Sequence, residues 1–239
     1  MSLEENVCQV KENIAAAARE VGRDPGEITL VAATKVQSDD TIRCAIAAGV
    51  TVCGENRVQE MTAHLEANAY DGAALHFIGH LQTNKVNKVV GRVDLIESVG
   101  SEHLLMAIDK QAAKLGLVQD ILIEVNVGQE ESKSGVSPKE VEVLARKAAE
   151  LPNVRLRGLM AIPPVAGEEG NRGFFREMYQ LFVDIRRKMV DNEIDIDCLS
   201  MGMSGDYQDA VREGATLVRV GTALFGARPP MGSQGQTRG

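Results

Sequence analysis

The sequence predicts a single (β/α)8 barrel of the TIM type with an extra N-terminal helix. Three observations carry that prediction. Eight strand-like runs recur roughly every 20 to 35 residues with helical patterns between them, the order that builds a parallel sheet. The chain has 239 residues, the usual size of one such barrel and enough for a core without disulfides or metal. No glycine-rich dinucleotide turn follows the first run, where a doubly wound open sheet would place one.

The elements follow in order. "MSLEENVCQVKENIAAAARE" sets apolar residues at helical spacing among charges, so it reads as a leading helix and lacks the continuous apolar core of a signal peptide. The strands are "ITLVAATK", "TVCGE", "ALHFIGH", "VDLIES", "ILIEVNV", "RLRGLMAI", "CLSMGM" and "LVRVG". Amphipathic stretches between them include "DDTIRCAIAAG", "SEHLLMAIDKQAAKLG", "PKEVEVLARKAAEL" and "GFFREMYQLFVDIRRKMV", several ending in glycine or a cationic turn as helix C-termini prefer. No linker or low-complexity run divides residues 1–227, which form one expected domain. The tail 228–239, "RPPMGSQGQTRG", reads as disordered.

Composition narrows the function. A formal net charge of −8 opposes attraction to nucleic acid or anionic lipid, and no run is apolar for long enough to span a bilayer. The four cysteines form no C-x-x-C pair and read as reduced structural thiols of a cytoplasmic protein. His76 and His80 are four apart, which on a strand separates them by about 13 Å, so no metal site is expected. "GMSGD" misses the last glycine of a nucleophile elbow and argues against a serine hydrolase.

The candidate chemistry begins with Lys35, at the end of the first strand. Side chains alternate along a strand, so a Lys35 that points into the barrel takes Ala33 and Val31 with it and turns Ala32 and Thr34 toward the helices. Barrel chemistry sits at the C-terminal strand ends, and the loops after strands seven and eight often grip phosphate. Here those loops are "SMGMSGDY", with Gly202, Ser204 and Gly205, and "RVGTALFG", with Gly221 and Thr222, each before a helical turn. Arg219 shares the inward face of Gly221. It requires either an ion-pair partner such as Glu55 or Glu124, or an acceptor on a bound ligand. A lysine, a phosphate grip and a buried arginine facing one cavity suit pyridoxal phosphate: imine to the amine, phosphate to the loops, arginine to the pyridine nitrogen. An arginine there keeps the ring nitrogen unprotonated and disfavours strong carbanion chemistry.

These residues resemble the pyridoxal phosphate homeostasis family, also described as alanine racemase N-terminal-domain-like. The resemblance covers nearly the whole chain and rests on "VAATK", "GENRVQE", "HFIGHLQTNK", "SKSGV", "RGLMAI", "LSMGMSGDY" and "VRVGTALFGAR". It implies pyridoxal 5'-phosphate held by Lys35 as an internal aldimine and phosphate contacts from Ser204, Gly221 and Thr222. Arg219 then lies near the pyridine nitrogen, Asn56 and Met160 line the pocket, and His80 faces the same mouth. It also implies a cofactor carrier that binds, buffers and delivers the cofactor without an established turnover of its own; the expected partners are apo-enzymes that use the cofactor, and the chain is expected to be a monomer. Thr34, Val36 and Gly205 depart from the residues most usual in the family.

Two rival functions and one question about a second lysine remain open. A racemase needs a second base, for which Tyr207 is the one tyrosine of three near the predicted mouth. A class I aldolase would carry its lysine on the sixth strand, where "RGLMAI" has none. Lys133, after the fifth strand, reads as a solvated loop lysine, with a transient second imine site as the alternative.

Overall fold

The structure, a computed structural model, describes residues 2–128, 134–164, 170–189 and 195–226. The expected tail and Lys133 lie outside the described residues. Eight parallel strands close in sequence order: β1 Thr29–Ala33, β2 Val52–Glu55, β3 Ala74–Phe77, β4 Leu95–Val99, β5 Gln119–Val125, β6 Val154–Ala161, β7 Cys198–Ser200 and β8 Leu217–Val220. Closure is made where Val31 of β1 pairs with Arg219 of β8. Every predicted strand is present.

Helix α1, Leu3–Glu20, starts on a reciprocal capping box in which the Glu5 N–H donates to Ser2 Oγ at 3.2 Å and the Ser2 N–H to Glu5 Oε2 at 2.7 Å. It buries Val7, Val10, Ile14, Ala17 and Ala18, the apolar stripe that its spacing predicts. The ring continues with α2 Asp39–Ala47, α3 Val58–Glu66, α4 Glu102–Leu115, α5 Val141–Ala149 and α6 Arg172–Met189. Two short helices, α7 Tyr207–Arg212 and α8 Thr222–Phe225, follow the last two strands. The α1 helix covers that thin part of the ring: Asn6 Nδ2 donates to the Leu224 carbonyl at 2.8 Å, and Arg212 pairs with Glu20 at 2.6 Å.

Between β3 and β4 a 3-10 segment, Thr83–Lys88, stands where the other units carry an α-helix. The third strand also stops early, so that Ile78, Gly79 and His80 leave the sheet. A Cβ at Gly79 would lie 2.2 Å from the Asn56 carbonyl oxygen, so glycine is what lets this loop lie against the end of β2.

The inward side chains form two layers. The lower is an apolar plug of Val31, Val52, Leu95, Leu122, Met160 and Leu217, separate from the main core between sheet and helices. All four cysteines are free thiols: Cys53 is buried, Cys198 is half-buried, and Cys8 and Cys44 stand exposed on helices, so the structural reading of the thiols fits the first two and not the last two. No helix among the described residues is long and apolar enough to cross a membrane.

Candidate functional site

Above the plug, the C-terminal strand ends surround a cavity of about 480 Å³. Of the eight residues singled out in the sequence, seven line it: Lys35, Asn56, His80, Ser204, Arg219, Gly221 and Thr222. Met160 does not. It points inward as alternation requires, but it is fully buried in the apolar plug and is absent from the cavity wall. Ile78, Glu124, Ile162 and Met203 complete much of the remaining wall.

Lys35 occupies a tight turn in which the Gln37 N–H donates to the Thr34 carbonyl at 3.0 Å. Both flanks of the lysine are anchored. Thr34 is buried on the outer face, where its hydroxyl donates to Glu55 Oε1 at 2.7 Å. Val36 holds a left-handed φ of +59°, uncommon for a β-branched residue, and its N–H donates to Glu60 Oε2 at 2.9 Å. Outward Thr34 and inward Ala33 bear out the predicted alternation and leave Lys35, half-buried, on the cavity side. Burial is the main force on Glu55 and pushes its carboxyl above the ordinary range, against the pull of the Thr34 hydroxyl.

Arg219 is buried and requires acceptors. They are neither Glu55, which faces the helices, nor a direct bond to Glu124. The guanidinium NH1 donates to Ser200 Oγ and lies 3.8 Å from Glu97 Oε2, and NH2 donates to the Ala161 carbonyl at 2.8 Å. Ser200 in turn donates to Glu97 Oε2 at 2.6 Å, and His76 Nδ1 sits 2.7 Å from Glu97 Oε1. Burial works to raise the Glu97 carboxyl, but His76, Arg219 and Ser200 together hold it below the usual carboxylate range. Burial pulls the Arg219 guanidinium down, opposed by Glu97 first and then by Glu124 and Asp206. Sequence reasoning missed Glu97, His76 and Ser200. The signal was alternation from Leu95 to Glu97, on the same face of β4.

The two loops after β7 and β8 meet at one atom. Ser204 Oγ accepts the N–H groups of Gly221 at 3.1 Å and Ala223 at 3.2 Å, so two backbone donors converge where an anion's oxygen would be received. A Cβ at Gly221, whose φ is −120°, would lie an ordinary 3.4 Å from Ala33 Cβ, and one at Gly205 would meet nothing within 4 Å. Both positions line the cavity, so side chains there would take up its space. Asn56 Oδ1 is buried without a hydrogen-bond partner, as is Glu124 Oε2, while Glu124 Oε1 accepts from Ser134 Oγ at 2.7 Å. Tyr207 is turned away: its hydroxyl accepts from Asn13 Nδ2 of α1 at 2.9 Å.

Residues 6–229 match the model of the family described as "Alanine racemase, N-terminal domain", the class of barrel that this fold and site define. Among curated relatives, a protein of Aquifex aeolicus named "Pyridoxal phosphate homeostasis protein" is 43% identical over 225 residues, covering 94% of this chain and 97% of its own. The Escherichia coli K12 protein of the same name is 40% identical over 228 residues, covering 93% and 95%. The chain belongs to this family, in the branch of the pyridoxal phosphate homeostasis proteins. Among solved structures, PipY of Synechococcus elongatus PCC7942, described as having PLP bound, superposes with a TM-score of 0.81 at 30% identity, covering 94% of this chain and all of that one. An alanine racemase of Clostridium difficile 630 reaches a TM-score of 0.73 at 15% identity and is alike in fold alone; this chain spans 57% of it.

Proposed function

We propose that this chain binds pyridoxal 5'-phosphate in the cavity above the plug, attached through a Schiff base to Lys35, and serves in the cytoplasm as a monomeric reservoir that buffers the cofactor and passes it to apo-enzymes. The observation that carries this reading is the convergence of Lys35, Arg219 and the Ser204–Gly221 junction on one cavity. When bound, the cofactor supplies an aldehyde for the amine and an electron-withdrawing ring. The chain's own residues do the rest. Ser204, Gly221, Thr222 and the Ala223 N–H would hold the phosphate, at the junction where two backbone donors converge. Arg219, fixed on one side by Ser200 and Ala161, keeps N–H groups that would donate to the ring nitrogen. Asn56 offers a buried amide to the ring's edge, and exposed His80 stands at the mouth. Met160 enters only as part of the floor.

The relatives' shared name and the PLP-bound state of PipY support the cofactor and its homeostasis. The carrier reading over a racemase rests on the tyrosines: among the described residues none lines the cavity, and Tyr207 is committed to Asn13. Exchange of the Cα hydrogen of alanine for deuterium at an enzymatic rate would restore the racemase. The principal test is the absorbance of the purified, cofactor-incubated protein. An imine band is expected for the wild type and none for Lys35→Ala; the same band in both would overturn the attachment.

A further inference from the structure

The Arg219 guanidinium is held by a chain of hydrogen bonds whose direction is forced. Ser200 has one hydroxyl hydrogen. Because Oγ accepts from Arg219 NH1, that hydrogen is the one donated to Glu97 Oε2 at 2.6 Å. A Glu97 carboxylate can only accept, so His76 Nδ1 is the donor in the 2.7 Å contact with Oε1. The order is therefore His76 to Glu97, Ser200 to Glu97 and Arg219 to Ser200, with Arg219 NH2 fixed separately on the Ala161 carbonyl. All four side chains are buried, and β3, β4, β7 and β8 contribute one each.

We infer that Glu97 is the positioning residue of the site: acting through Ser200, it fixes the plane of the Arg219 guanidinium toward the ligand and balances its charge, so that the ligand meets a neutralised pair. The inference rests on the pyridoxal phosphate reading. In that reading the groups facing the pair are Lys35 from the end of β1, His76 from β3, Glu124 from β5, Cys198 from β7 and Asp206 from the loop after it. Neither of the acids in that set, Glu124 or Asp206, is in the hydrogen-bonded path to the guanidinium, which runs through Ser200 to Glu97. A balanced pair leaves the imine nitrogen at Lys35 with little net field from Arg219. Removing either member exposes the charge of the other, and the two removals act with opposite sign.

The test is a spectrophotometric pH titration of the imine in the loaded protein. Glu97→Gln leaves Arg219 unbalanced and is expected to lower the imine pKa by about one unit. Arg219→Gln leaves Glu97 unbalanced and is expected to raise it by about as much, with the double variant returning close to wild type. Glu97→Asp restores the wild-type titration at least in part. Ser200→Ala, which keeps both charges and is the safest to fold, is expected to release cofactor about tenfold faster with a smaller pKa change. Shifts of the same sign for Glu97→Gln and Arg219→Gln, or no shift in either, would overturn the inference. A wild type without a Lys35-dependent band would instead remove the underlying reading. Thermal melts without cofactor would then judge the pair: the double variant recovering stability lost in each single supports it, and additive losses contradict it.

Discussion

The two layers inside the barrel are built from the same strands yet do different work. In the lower layer the inward residues of β1, β2, β4, β5 and β8 are Val31, Val52, Leu95, Leu122 and Leu217, which fill the interior. Two residues further along those strands the inward positions are Ala33, Gly54, Glu97, Glu124 and Arg219. Small side chains on β1 and β2 open volume on one side, Glu124 and Arg219 face it from the other, and Glu97 is fully buried off the cavity wall. The lesson is that one alternation rule serves both layers, and residue size decides where the plug ends and the cavity begins.

That division can be broken from below. Leu122→Ala deletes a fully buried plug side chain and is expected to cost about 2–5 kcal/mol of stability. Cofactor attachment to the surviving folded protein should change little. Denaturant unfolding beside absorbance checks this, and loss of the imine band at full folding would mean the layers are not separable.

A second test uses acid. The folded-state pKa of Glu97 is held below its unfolded value, so the stability it contributes is present above the unfolded carboxylate range, about 4.3, and is lost as pH falls through the folded value. The melting temperature of the wild type should therefore decline through that window, and Glu97→Gln should flatten the decline while starting lower. Parallel acid limbs would show that Glu97 carries no such linkage.

The smallest effect concerns the rim. Val36→Gly removes the cost of a β-branched residue at φ +59° but adds freedom to the unfolded chain, for a net gain of roughly half a kcal/mol. The same freedom should loosen Lys35 and quicken cofactor release. A more stable protein that also holds its cofactor longer would contradict the view that this turn aims the lysine.

Much of this was legible in the chain. Apolar runs with strand propensity, closed by glycine or charge, marked all eight strands, and counting by twos from Lys35 assigned the faces of β1. The partner of Arg219 was harder to read. Parity with the inward Gly54 turns Glu55 outward, whereas the β4 run "VDLIES" is apolar on both faces, so its inward acid did not stand out. Met160 shows the complementary limit: parity gives the face, while depth along the barrel axis depends on the stagger between strands, such as the register shift between β5 and β6.

The central claim is the attachment of pyridoxal phosphate to Lys35, and reduction of the loaded protein with borohydride followed by peptide mass mapping tests it most directly. The account predicts a stable pyridoxyl phosphate adduct on the peptide containing Lys35 and on no other lysine at equimolar loading. An adduct confined to a different lysine, or none after saturation with the cofactor, would contradict it.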